Sequence, residues 1–162
     1  MLDATLHFLF ITTHLKMTKT LRKAIYHLSR KPKALFLVDA LGALLTALLL
    51  FVVVKHFNTY FGMSETMLGY LSLIAGVLCI YSATCFFFLK ENWPPFIRGI
   101  AIANILYCLL TLVTILSNCA ALTSLGVTYF LVEIAVVCVL VYIELNVAVA
   151  IKKNVAGGIK NE

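Results

Sequence analysis

The chain has 162 residues, a one-domain length, and 62% of them are hydrophobic, against roughly 45–50% in an ordinary soluble domain. Charged residues make up 12%, about half the usual share, and the mean hydropathy is +1.02. A water-soluble enzyme or binding module of this size could not hide so much apolar surface, and disorder is excluded by the same numbers. The composition is that of an integral membrane protein.

The net charge of +6 is unevenly placed. Seven of the 13 Lys and Arg lie between Lys16 and Lys33, just ahead of the first long apolar run. Such a segment suits anionic lipid headgroups. No aromatic-interleaved basic face accompanies it, so nucleic acid is not an expected partner.

Residues 1–33 read as a cytoplasmic N-terminal segment. Leu6 to Leu15 is apolar but too short to span a bilayer. Asp3 stands where a signal peptide would carry basic residues. Two readings stay open for residues 1–16: a short interfacial segment, or a stretch ahead of a true start at Met17. From Met17 onward, Leu21, Ile25 and Leu28 recur at i, i+4, i+7, with Lys19, Arg22, Lys23 and Arg30 largely elsewhere. This predicts a basic amphipathic helix on the inner membrane surface.

Residues 34–151 read as a transmembrane domain. A span needs about 20 apolar residues, and four segments qualify: 34–54, 67–89, 96–116 and 123–151. Backbone groups in lipid must be satisfied within the segment, so helices are expected and short alternating barrel strands are absent. Pro32 precedes the first span. The second follows a polar loop with Asn58, Gly62 and Ser64. Asn92-Trp93-Pro94-Pro95 is a sharp turn before the third, with proline tolerated in a first helical turn and Trp93 suited to the headgroup level. Ser117-Asn118 opens a short link to the fourth. Residues 152–162, with Gly157-Gly158, read as a short polar cytoplasmic tail. The expected fold class is all-α, a polytopic antiparallel bundle of four transmembrane helices.

The side holding both termini collects twelve of the thirteen basic residues; only Lys55 lies opposite. The positive-inside rule then places both ends in the cytoplasm, in the plasma (inner) membrane.

Small and polar residues decide helix packing in lipid. Gly69, Ser72, Gly76, Cys79 and Ala83 of the second span share one seam, expected to admit a neighbour's backbone. Ala101, Asn104, Cys108 and Thr111 line the third, Asp39, Gly42 and Thr46 the first, and Glu133, Val137, Leu140 and Glu144 the fourth. The five cysteines show no CxxC pair. Cys79, Cys85, Cys108 and Cys138 lie in apolar runs, where cysteine packs as a small apolar residue.

Ionisable groups within a span are expensive and face the bundle interior, a partner or water. Asp39, Arg98 and Glu144 lie at one depth in the inner third of the bilayer. The bland reading is an ion-pair lock across the first, third and fourth spans. Snorkelling of the ends or a proton or ion site are the alternatives. Glu133 stands about 16 Å from Glu144 on the same helical face, with no basic residue at its depth. Tyr129, Tyr107, Thr111 and Tyr70 are its candidate neighbours. In dry surroundings its neutral form is favoured, and it is the candidate protonatable site.

No nucleotide, zinc or hydrolase motif is present, and His7, His14, His27 and His56 lie outside the spans. No catalytic set, metal site or cofactor is expected. The stretches Phe36-Leu37-Val38-Asp39-Ala40-Leu41-Gly42-Ala43, Lys90-Glu91-Asn92-Trp93-Pro94-Pro95-Phe96 and Tyr142-Ile143-Glu144-Leu145-Asn146 resemble small uncharacterised four-helix membrane proteins of bacteria. The resemblance covers about Lys33 to Lys153 and implies a fold but no activity. The chain is also similar in size and span count to small multidrug transporters. Those carry their essential glutamate in the first helix, where this sequence has Asp39, so their function is not carried over. Two functions are expected from the residues. One is a non-enzymatic accessory or assembly subunit, a homo-oligomer or the companion of a membrane partner protein. The other is a small proton- or cation-linked transporter or channel using Glu133 and the Asp39, Arg98 and Glu144 cluster.

Overall fold

The computed structural model describes residues 21–52, 62–118 and 121–158, apart from the side chains of 153–158. The segment 1–16, the start at Met17, most of the first loop with His56, Cys119 and the end of the tail lie outside the described residues. Among the described residues, five helices follow one another: α1 (residues 21–30), α2 (Pro32–Val52), α3 (Glu65–Phe88), α4 (Trp93–Ser117) and α5 (Ser124–Gly158). The last four are long and apolar enough to cross a membrane. The protein is therefore an all-α, multi-pass membrane protein.

Each boundary has a local cause. Pro32 has no N–H to continue α1 and holds Lys31 away from helical geometry, so α1 closes with Lys31 N–H donating to His27 and Leu28 carbonyls. Ser64 caps α3, its hydroxyl accepting from Met67 N–H at 3.4 Å. Asn92 adopts left-handed backbone (φ 61°), a conformation that asparagine tolerates, and turns the chain directly into α4. Pro94 and Pro95 then sit in the first turn of α4, where their missing N–H groups cost nothing. Gly62 lies at φ +70° against the opposite link, and a Cβ there would stand 1.9 Å from the Ala121 carbonyl oxygen. Only glycine satisfies both conditions.

The helix of the fourth span extends beyond its apolar part, Ser124–Lys152. The helix does not stop at 151 but runs through Lys152 and Lys153 to Gly158. Lysine and asparagine are compatible with helix, and nothing before the glycine pair breaks it. The tail expected at 152–162 is thus largely a continuation of α5.

Packing is unequal. α2 lies along α3 and α4 lies along α5, and these two pairs carry most of the contact. α3 meets α4 less closely, and α2 meets α5 at few points. Two apolar clusters result. One gathers Leu50, Met63, Leu68, Leu71, Tyr107 and Phe130 towards the end that holds Gly62. The other gathers Leu35, Phe36, Cys85, Ile97, Ile100 and Val147 towards the end that holds the Asn92 turn. Ile25 and Leu28 of α1 pack against this second cluster, while Arg22, Lys23 and Arg30 face outwards. The described part of the amphipathic helix is docked on the bundle.

The small-residue seam of α3 needs correcting. Gly69, Ser72, Gly76, Cys79 and Ala83 are half-buried, while the buried stripe is Leu68, Leu71, Ala75, Ser82 and Cys85. That stripe lies one residue earlier, a rotation of about 100°. A Cβ at Gly69 or Gly76 would meet nothing within 4 Å, so no backbone approaches the seam there. α3 instead turns Leu68, Leu71, Ala75, Ser82 and Cys85 to the core, and from the seam Ser72 donates to the Ala47 carbonyl of α2 at 2.9 Å.

Candidate functional site

Asp39, Asn104 and Glu144 meet inside the bundle. Asp39 lies about 10 Å along α2 from its start, and Glu144 about 12 Å before Lys152 on antiparallel α5. These positions place them at one depth. Asp39 is 2% exposed and Glu144 0%. Asn104 of α4 donates through Nδ2 to Asp39 Oδ1 at 2.9 Å and, at the long limit, to Glu144 Oε2 at 3.5 Å. The Ser82 hydroxyl of α3 donates to Asp39 Oδ2. Glu144 Oε1 is buried without a partner. Ser82 of α3 and Asn104 of α4 thus converge on Asp39 of α2, and Asn104 also reaches Glu144 of α5.

Arg98 takes no part in this cluster. Its side chain is exposed and it makes no ion pair with Asp39 or Glu144. The expected ion-pair lock is therefore replaced by an amide and a hydroxyl. The reason is rotational. Arg98 and Asn104 are six residues apart, about 120° around the helix, whereas Ile97 is seven residues from Asn104 and within about 20° of its direction. Ile97 is accordingly the buried residue. Depth brought Arg98 into consideration, and azimuth removes it.

Glu133 forms a second, separate centre about 14 Å along α5 from its start. Tyr107 of α4 donates its hydroxyl to Glu133 Oε1 at 2.7 Å. Thr111 donates to the Tyr107 carbonyl at 2.9 Å, one turn further on. Glu133 Oε2 is buried and has no partner, although the residue as a whole is only 9% exposed. Tyr70, another candidate neighbour, faces out of the bundle at 59% exposure. Tyr107 is thus the one residue from another helix that the structure places on the Glu133 carboxyl.

A cavity of about 440 Å³ joins the two centres, bounded by Asp39 and Asn104 on one side and by Tyr107 and Glu133 on the other. Most of its lining comes from α2 and α5, two helices that meet at few points. Gly42 and Thr46 of α2 and Val137 and Leu140 of α5 line it, so the inward stripes of these two helices face a space and not each other. Among the described residues, no lysine, arginine or histidine lines it. No group of three or more His, Cys, Asp or Glu able to hold a metal ion occurs among them either.

The composition of the spans does not single out Ser82 or the cavity. A serine in an apolar run carries no charge to attract notice, and the cavity depends on which helices pair closely. Asn104 was visible as a polar member of the α4 stripe at the depth of Asp39, which was the available signal for its role. Comparison with protein families, with curated proteins and with solved structures finds no match to this chain.

Proposed function

We propose that the protein is a small proton-linked membrane transporter, set in the plasma (inner) membrane with both termini in the cytoplasm. The observation that carries this reading is a membrane-embedded cavity that holds two carboxyl residues, Asp39 and Glu133, and no basic residue among those described. An intramembrane carboxyl beside a cavity is a place where a proton can be exchanged for another cation. Asp39 has both oxygens engaged by donors. Glu133 keeps one free, so Glu133 is the exchanging group and the Asp39 centre holds the helices that frame it. The distribution of lysine and arginine supports the orientation.

The test is proton movement in sealed vesicles. Purified protein is reconstituted with a pH-sensitive dye inside, and a potassium gradient with an ionophore sets the membrane potential. Protein-dependent acidification, lost in Glu133→Gln, is the expected result. Equal rates with wild type, with Glu133→Gln and with empty vesicles would sink the transport reading. The chain would then be better read as a non-enzymatic accessory subunit. Cysteine labelling from outside intact cells checks the orientation: a cysteine at Ser117 should react and one at Lys152 should not.

A further inference from the structure

The cavity is bounded mostly by apolar side chains, among them Leu45, Leu49, Leu78, Val132 and Val136. Its volume of about 440 Å³ lies within the range of roughly 300–1,000 Å³ that takes small organic ligands. Three of these residues also stand open on the outside of the bundle: Leu45 is 59% exposed, Val132 58% and Val136 63%. A spanning helix has lipid on that side, so the rim of the space touches the bilayer.

The polar atoms of the lining decide the class of occupant. No lysine, arginine or histidine among the described residues lines the space, so an anion has no counter-charge there. A cation fares no better. Asp39 has both oxygens engaged by donors, and Glu133 has one oxygen on Tyr107 and the other buried. A charge taken out of water without a partner is expensive, so a neutral occupant is favoured. Two uncharged polar groups remain. Asn104 turns its Nδ2 to the carboxyls. Its Oδ1 accepts from no described residue, yet it is not sealed off. Asn104 as a whole is only 4% exposed and it lines the cavity, so that oxygen faces the space. Thr46, two turns along α2 from Asp39, also lines it, and its hydroxyl has no partner among the described residues. A bare amide oxygen calls for a donor, and a neutral donor on an apolar body is the hydroxyl of an uncharged lipid.

We propose that the cavity binds an uncharged lipid alcohol, taken from the bilayer between α2 and α5, with its hydroxyl donating to Asn104 Oδ1 and its chain along Leu45, Val132 and Val136. The acyl chain of a phospholipid would match the walls but leave the Asn104 oxygen without a donor. A phosphate headgroup would have no basic residue to draw it to the depth of Asp39. The proposal stands apart from the transport reading, which needs only a proton to reach Glu133.

The probe is a hexadecanol carrying a diazirine in mid-chain, added to purified protein in phosphatidylcholine vesicles. On illumination the carbene marks what the chain touches, and peptide mass spectrometry reads the place. Saturable labelling of α2 around Leu45 and of α5 around Val132 and Val136 is expected. Dioleoylglycerol, with a free hydroxyl, should compete at least tenfold better than its acetate, which cannot donate. Gly42→Leu should lower the labelling at least tenfold by filling the space, since a Cβ at Gly42 meets nothing within 4 Å. Thr46→Val removes the other lining hydroxyl and should keep the preference for the alcohol over its acetate, which assigns that preference to Asn104. The competition needs no variant, so it keeps the test intact if Gly42→Leu proves poorly folded. Labelling that does not saturate, saturable labels away from α2 and α5, or equal competition by the acetate would overturn the proposal. So would undiminished labelling of folded Gly42→Leu, or a preference lost in Thr46→Val.

Discussion

Two carboxyl centres, Glu144 with Asp39 of α2 and Glu133 alone, lie about three turns apart along α5 and are finished differently. At the Asp39 end, serine and asparagine donors from neighbouring helices close around the carboxyl pair, and a buried amide does the work that a charge was expected to do. At the Glu133 end, one tyrosine holds one oxygen and the other is buried without a hydrogen-bond partner, in a residue that lines a cavity. The same side-chain chemistry gives a fastening in one place and an available group in the other. What differs is how many donors the neighbouring helices bring. α3 and α4 both reach Asp39, whereas only α4 reaches Glu133, because α2 and α5 stand apart there.

The comparison can be broken by removing donors. Asn104→Leu leaves Asp39 Oδ1 without a donor and strips Glu144 Oε2 of its contact. Interhelical hydrogen bonds in membranes average about 0.6 kcal/mol and reach about 1.7. The two together, with the buried oxygens left behind, should cost about 2 kcal/mol in unfolding by dodecyl sulfate in mixed micelles. A loss below about 0.5 kcal/mol would mean that Asn104 does not fasten the pair. Tyr107→Phe removes one bond from the less complete centre and should cost about 1 kcal/mol by the same measurement. If it cost more than Asn104→Leu, the two centres would have been ranked the wrong way round.

Glu133→Gln sharpens the contrast from the other side. The amide keeps an oxygen that can accept from Tyr107, so stability should change by less than about 0.5 kcal/mol. A large loss would show that Glu133 is a fastening too. Smallest of all is Arg98→Ala, which should match Lys90→Ala to within the error of the unfolding curves. Both side chains face outwards, and substitutions of that kind commonly stay within about 0.5 kcal/mol. A selective loss at Arg98 would restore the ion-pair lock.

The spans were legible because their signal is a sum over about 20 residues, which no single side chain can overturn. Depth was legible too, since it follows from counting along a helix of known rise. Asp39 and Glu144 could be placed at one level from their distances to the ends of their helices. Azimuth was less secure. A shift of one residue turns a helix by about 100°, enough to put Arg98 outside and to move the core stripe of α3 from Gly69 to Leu68. Pair preference was beyond reach. Nothing in the composition of α2 says that it packs along α3 and leaves α5 free, and the cavity is a consequence of that preference.

The great length of α5 bears on the bilayer itself. Its apolar part, Ser124–Lys152, has 29 residues against 21 in α2, or about 43 Å against about 32 Å. A hydrocarbon core of about 30 Å fits α2 almost upright. α5 must lean, or project, to absorb an excess of roughly a dozen ångströms. The shortest and longest spans supply most of the lining of one cavity. A thicker or thinner bilayer therefore acts on those walls unequally, making lipid chain length a mechanical variable of the space between them.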